Sequence, residues 1–269
     1  MSDQAKRTAP SIRAMKVVGE RIAALTAYDA VTARLLDDAG VDVLLVGDSA
    51  AMVVLGYENT LPVTLDAMLV LTAAVARARP SALVVGDLPF MSYQASVPEA
   101  IRSAGRMVKE AGAEAVKLKG GVKIVPSVKA VIDAGIPVMG HVGLTPQSIH
   151  ELGGYRVQGK SEDAHARLLN DAKALDEAGC FSIVLEAMPW RLAKEITEAV
   201  SVPTIGIGAG PHCDGQVLVV NDILGYSPGR PARFVRSYGD TKSVVSDAAR
   251  GFVRDVKSGS YPSLDESYP

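Results

Sequence analysis

The chain has 269 residues, 48% hydrophobic and 22% charged, and its 28 Lys and Arg against 30 Asp and Glu leave a formal net charge of −2. That balance excludes a disordered chain, which would be poorer in apolar residues. It also speaks against binding nucleic acid through phosphate charge, which needs a basic excess, and no apolar run reaches the roughly 20 residues that cross a bilayer.

The first 20 residues are polar at their start, and 11–18 reads as a short helix that closes one end of the fold. Lys6 and Arg7 are not followed by an apolar stretch, so no signal segment is expected and the cytoplasm is the expected location. Short β-branched runs then alternate with longer stretches of helical spacing. Strands are expected at 21–27, 41–47, 82–87, 115–118, 137–141, 182–186, 204–208 and 216–221. Helices are expected at 30–39, 65–78, 97–111, 122–134, 164–178 and 190–200. Residues 143–161, rich in Gly and polar side chains, read as a long loop that acts as a lid. Residues 258–269 read as a surface tail.

Four helices end alike, at Asp38-Ala39-Gly40, Glu110-Ala111-Gly112, Asp133-Ala134-Gly135 and Glu177-Ala178-Gly179. Each junction sets a left-handed Gly before an apolar residue that enters a strand. Repetition of one junction marks a repeated β-α unit. Strands such as Val43-Leu44-Leu45-Val46 are apolar on both faces, which means a parallel sheet covered by helices. Eight units in one chain of this length favour a single α/β domain, a closed (β/α)8 TIM barrel spanning 1–269. The doubly wound alternative lacks a GxGxxG turn after its first strand.

In such a barrel the functional groups stand at the C-terminal ends of the strands. Those positions hold Asp48 and Ser49, Asp87, Lys117 and Lys119, His141, and Glu186. Each acid alone could be an N-cap, but together these ends converge on one cavity. Asp48 and Asp87 are the candidate metal ligands, since paired carboxylates need a proton or a cation between them, and oxygen ligands suit Mg²⁺. Lys117 needs an anionic partner inside the barrel, and His141 is a substrate donor, a proton relay or a core histidine. Glu186, at the end of an apolar strand, is a candidate general base. Gly206-Ile207-Gly208-Ala209-Gly210 is either a phosphate cradle or a close-packed turn. Cys180 and Cys213 sit in no CxxC or His/Cys ligand pattern, so neither a disulfide scaffold nor a zinc site is expected.

The segments Leu25-Thr26-Ala27-Tyr28-Asp29, Val46-Gly47-Asp48-Ser49, Gly86-Asp87-Leu88-Pro89-Phe90 and Gly140-His141-Val142-Gly143-Leu144-Thr145-Pro146-Gln147 resemble the ketopantoate hydroxymethyltransferase family. Leu152-Gly153-Gly154-Tyr155, the 206–210 glycine turn and Asp214-Gly215-Gln216-Val217-Leu218 continue that resemblance in order over about 22–239. It implies a homodecameric barrel with one Mg²⁺ per subunit, acting on 3-methyl-2-oxobutanoate with 5,10-methylenetetrahydrofolate as co-substrate. Asp48 and Asp87 then match the metal-site acids and also lie close to the keto acid. Ser49, Lys117 and His141 match substrate-binding groups and Glu186 the base, and the glycine turn becomes a structural wall. The partners implied are small molecules and copies of the chain, with no nucleic acid or membrane.

At one position the chain departs from that pattern. A metal-site Glu is implied where this sequence has Lys119, which shares a strand face with Lys117. Three outcomes follow: Lys119 bends away to solvent, a metal is held more weakly, or the ammonium takes over part of the metal's role. The alternatives in function are another Mg²⁺-dependent 2-oxo acid C–C lyase or mutase barrel, and a catalytically impaired relative.

Overall fold

The computed structural model describes residues 5–227, 229 and 231–269; the reading of the first 20 residues lies outside the described residues over 1–4. Eight parallel strands close into a barrel in sequence order: β1 (Ile22–Thr26), β2 (Val43–Val46), β3 (Leu83–Asp87), β4 (Ala115–Lys117), β5 (Val138–Gly143), β6 (Ser182–Glu186), β7 (Thr204–Ile207) and β8 (Gly215–Leu218). Pairing of Ile22 with Gly215 and Ala24 with Val217 completes the ring. The helices begin with α1 (Ala9–Val18), α2 (Ala30–Asp38), α3 (Ala50–Val53), α4 (Leu65–Arg77), α5 (Val97–Lys109) and α6 (Val125–Asp133). They continue with α7 (Ile149–Leu152), α8 (Glu162–Glu177), α9 (Trp190–Ala199), α10 (Val220–Ile223) and α11 (Thr241–Ser258). Among the described residues no helix is long and apolar enough to cross a membrane.

The repeated junctions explain the regularity. Gly40, Gly112, Gly135 and Gly179 all have positive φ, from 74 to 96°, the conformation in which a side chain is strained. Along the strands, alternation sends Ile22, Ala24, Val43, Leu45, Leu83, Val85, Ala115, Met139, Val184, Ile205 and Val217 into one buried cluster. Ala9, Ile12 and Met15 of α1 join it, so that helix caps the N-terminal mouth. Its own start is fixed by a capping box between Thr8 and Ser11.

Two boundaries differ from the sequence expectation by more than two residues. The eighth strand stops at Leu218 rather than 221, because Val220 begins a helical turn. The 122–134 helix opens as a 3-10 turn, Val122–Ile124, before α6. Residues up to Val219 form one compact unit and Val220–Pro269 another. In the second unit α11 is capped by Asp240 and by Gly259, and Phe252 meets Tyr261 edge-on. Residues 259–269 are all exposed, and Leu264–Glu266 among them form a 3-10 turn.

Candidate active site

Asp87, Lys117, His141 and Glu186 stand two residues beyond the core residues Val85, Ala115, Met139 and Val184. Side chains two apart share a strand face, so the alternation that builds the core also brings these four into the barrel one layer nearer its C-terminal end. Cα register sets Asp87 beside Lys117 and Gly143 beside Glu186. Lys119 continues the β4 face past the end of the strand, and Asp48 follows β2 where the chain turns into α3.

The centre of the site is a four-charge cluster. Lys119 Nζ lies 2.9 Å from Asp48 Oδ2 and 2.6 Å from Asp87 Oδ2, and Lys117 Nζ lies 3.1 Å from the same Asp87 oxygen. All four side chains are at most 5% exposed. Burial raises the Asp48 carboxyl, with Lys119 opposing and the Asp87 charge adding to the rise. Burial works against the Asp87 carboxylate too, but Lys117 and Lys119 both face it and hold its carboxyl well below the usual range. Burial likewise opposes the Lys119 ammonium, and the two carboxylates outweigh it and raise its pKa. For Lys117, burial and the neighbouring ammonium prevail over Asp87, and its pKa falls.

The cluster is held by residues from two loops. Gln147 Nε2 donates to Asp48 Oδ2 and to the Leu88 carbonyl, both at 2.9 Å. Its Oε1 accepts from Tyr93 Oη at 2.7 Å and from Gln94 Nε2 at 3.0 Å. The Lys119 backbone N–H donates to Tyr93 Oη at 3.0 Å. A ring of bonds thus runs from the Lys119 backbone through Tyr93, Gln147 and Asp48 back to the Lys119 ammonium. Tyr93 and Gln147 are not among the residues the sequence singles out, because neither lies at a strand end. Gln147 does fall within a segment that carries the family resemblance, and it sits in the 3-10 turn Pro146–Ser148. The stretch read as an open loop therefore begins with an anchored turn and α7.

A second pair stands beside the cluster. His141 Nε2 lies 2.9 Å from the Leu144 carbonyl and 3.3 Å from Glu186 Oε2. Both neighbours are acceptors, so Nε2 carries the proton. Nδ1 is buried and has no hydrogen-bond partner among the described residues. Burial, then the Lys117 charge, pushes the His141 pKa down. Glu186, with 17% of its side chain exposed, is the most open of these groups. The backbone turns immediately after it, at Ala187, with φ 48°. Ser49 Oγ is 2.8 Å from the Tyr28 hydroxyl.

The pair Asp48 and Asp87 does not fit a divalent ion as it stands. Mg²⁺ takes about six oxygens in a near-octahedral shell. Among the described residues no cluster of three or more His, Cys, Asp or Glu could hold a metal. The place between the two carboxylates is taken by the Lys119 ammonium. A divalent ion about 4 Å from that charge would be repelled by about 8 kcal/mol at an effective dielectric of 20. Of the three outcomes open to Lys119, the turn to solvent is excluded: both aspartates are its partners, and at 2% exposure its side chain does not reach solvent.

The glycine turn after β7 is packed rather than open. A Cβ at Gly210 would lie 2.4 Å from that of Trp190, and one at Gly206 would lie 2.9 Å from Cys213 Sγ. Cys180 and Cys213 are buried free thiols, the former pushed up to about 12 by burial.

A family model described as Ketopantoate hydroxymethyltransferase matches residues 6–264. The chain is 53% identical to the 3-methyl-2-oxobutanoate hydroxymethyltransferase of Geobacter metallireducens, over 98% of each chain. It is 58% identical to the protein of the same name from Thermobifida fusca, over 97% of this chain and 93% of that one. Among solved structures, a phosphonopyruvate hydrolase complex with oxalate and Mg++ superposes with a TM-score of 0.63 at 14% identity, covering 97% of this chain and 93% of that one. A 2,3-dimethylmalate lyase does so at 0.61 and 17%, covering 99% and 90%. At such identities the likeness concerns the fold alone.

Proposed function

This chain belongs to the ketopantoate hydroxymethyltransferase family, and from that premise we propose that it transfers a one-carbon unit from 5,10-methylenetetrahydrofolate to 3-methyl-2-oxobutanoate. The product is 2-dehydropantoate, in pantothenate biosynthesis. The observation that carries the reading is a partly open carboxylate, Glu186, paired with His141 at the barrel end that also holds the buried ammonium groups of Lys117 and Lys119.

A 2-oxo acid offers a carboxylate and an adjacent carbonyl oxygen, and both need positive charge or hydrogen-bond donors. Lys117 and Lys119 supply these, and Ser49 adds a hydroxyl. The Glu186 carboxylate takes the proton from C3. His141, protonated on Nε2, donates to Glu186 and fixes its orientation. Charge then develops on the former carbonyl oxygen, where fixed ammonium groups stabilise it more than they stabilise the starting ketone. The C3 carbon forms a bond to the methylene carbon of the folate. Water supplies the hydroxyl oxygen of the product and tetrahydrofolate leaves. Assembly as a homodecamer belongs to the same reading and is checked by light scattering.

The test is direct. Purified protein given both substrates should form 2-dehydropantoate, followed by mass spectrometry. No product under conditions in which the Geobacter metallireducens protein is active would overturn the proposal.

A further inference from the structure

We propose that the Lys119 ammonium is the resident cation of the Asp48–Asp87 pair, so that this protein binds no divalent ion there and stabilises the enolate of its 2-oxo acid with an ammonium instead. The enolate half rests on the function proposed above; the cation half rests on geometry alone.

Three observations carry it. First, Lys119 Nζ bridges one oxygen of each carboxylate, at 2.9 and 2.6 Å, which is where a bridging cation would stand. An ammonium has three N–H donors. Two are spent on Asp48 and Asp87, and the third is left for an incoming oxygen.

Second, the ammonium is held from both ends. The Lys119 backbone N–H is bonded to Tyr93, Tyr93 to Gln147, and Gln147 to Asp48, the carboxylate that grips the ammonium. A metal ion could not take the site by a simple swing of one flexible stem, because Tyr93 and Gln147 are themselves buried. Of the oxygens in the pair, Asp87 Oδ1 is buried without a partner. It is a single acceptor, far from the oxygen shell that a hard divalent ion demands.

Third, the charges already balance. Two carboxylates and two ammonium groups sum to zero, and a divalent ion would leave +2 in a buried site. A Glu at 119 together with a divalent ion would carry +1, the charge that Lys119 carries alone. One substitution can thus conserve the field at the reacting oxygen while removing the metal. In chemical terms, the ammonium takes the part of a Lewis acid by donating a hydrogen bond to the enolate oxygen, and the C3 proton still passes to Glu186.

The experiment uses the whole protein, freed of metal with a chelator, and reads two signals. Mn²⁺ binding is followed by electron paramagnetic resonance in the wild type, in Lys119→Glu, and in Lys119→Glu combined with Asp48→Asn. Exchange of the C3 proton of 3-methyl-2-oxobutanoate for deuterium is followed by NMR, with chelator and with added Mg²⁺. The wild type should give no signal of tightly bound Mn²⁺ and exchange at the same rate in both conditions. Lys119→Glu should bind Mn²⁺ at least about a hundredfold tighter, lose that gain with Asp48→Asn, and need added metal to exchange. Tight wild-type Mn²⁺ binding, or wild-type exchange that stops with chelator and returns with Mg²⁺, overturns the inference. If Lys119→Glu does not fold, these two wild-type measurements decide by themselves. Wild type that binds no Mn²⁺ and exchanges under neither condition would sink the keto-acid reading and the enolate half with it, while the cation half would stand.

Discussion

Replacing Gln147 by Leu tests whether the loop after β5 holds the charge cluster together. The amide makes four hydrogen bonds, and their loss is not equal. Gln94 is exposed and turns to water. The Tyr93 hydroxyl lies 3.0 Å from the Lys119 carbonyl and can donate there instead. Two losses remain uncompensated. The Leu88 carbonyl is orphaned in a buried place, at about 1–3 kcal/mol, and Asp48 loses a donor to a charged oxygen, a bond worth about 1.5–3 kcal/mol. The apolar side chain recovers part of this, because it carries no polar group to desolvate. The expected net loss is about 2–4 kcal/mol. Trp190 is the only tryptophan and lies in the barrel unit, so its fluorescence in urea reports the unfolding of that unit. The midpoint should fall with an unchanged slope. A loss below about 1 kcal/mol would show that Gln147 is not what holds Asp48 in place.

Three further outcomes follow from the geometry. Gly143→Ala should destabilise by about 2–4 kcal/mol, since φ is 99° and the new Cβ would lie 2.2 Å from the Glu186 carbonyl oxygen; a variant as stable as wild type in urea would refute the close approach. Stability should fall as pH drops below about 6.5, because the unfolded chain protonates His141 first while burial keeps the folded imidazole neutral. The contribution is thus present above that pH and lost below it, with a slope of at most about 1.4 kcal/mol per pH unit, and His141→Gln should flatten it; an unchanged slope contradicts the assignment. Trypsin should cut after the exposed Arg156 in the free protein and more slowly with keto acid bound, if 153–158 closes over the site; equal rates would argue for a fixed loop.

The barrel was legible because two periodic signals agree. Apolar strands buried on both faces recur at regular spacing, and the acid-Ala-Gly junctions mark where each helix ends. Strand-end alternation placed Asp87, Lys117, His141 and Glu186 in one layer. The turns at 50–53 and 149–152 are too short to show a helical period. Helix 241–258 carries a signal of its own, with Val244, Val245, Phe252, Val253 and Val256 at helical spacing between an Asp cap and Gly259, but it lies outside the repeated β-α rhythm. Tyr93 and Gln147 come from loops, where spacing in sequence says nothing of where a side chain goes. For Lys119 the alternation gives the face but not the partner, because a four-carbon stem can end in a cluster or in solvent. Of the three outcomes open at that position, the structure excludes a Lys119 turned out to solvent.

Transfer of the C3 proton to Glu186 is the step on which the proposed reaction turns. Deuterium uptake at C3 of 3-methyl-2-oxobutanoate, followed by proton NMR, measures that step without the folate. The wild type should exchange, and Glu186→Gln should slow exchange by at least about a hundredfold while binding the keto acid within a few-fold of wild type. Exchange at the wild-type rate in Glu186→Gln would contradict the assignment of the base and the reaction built on it.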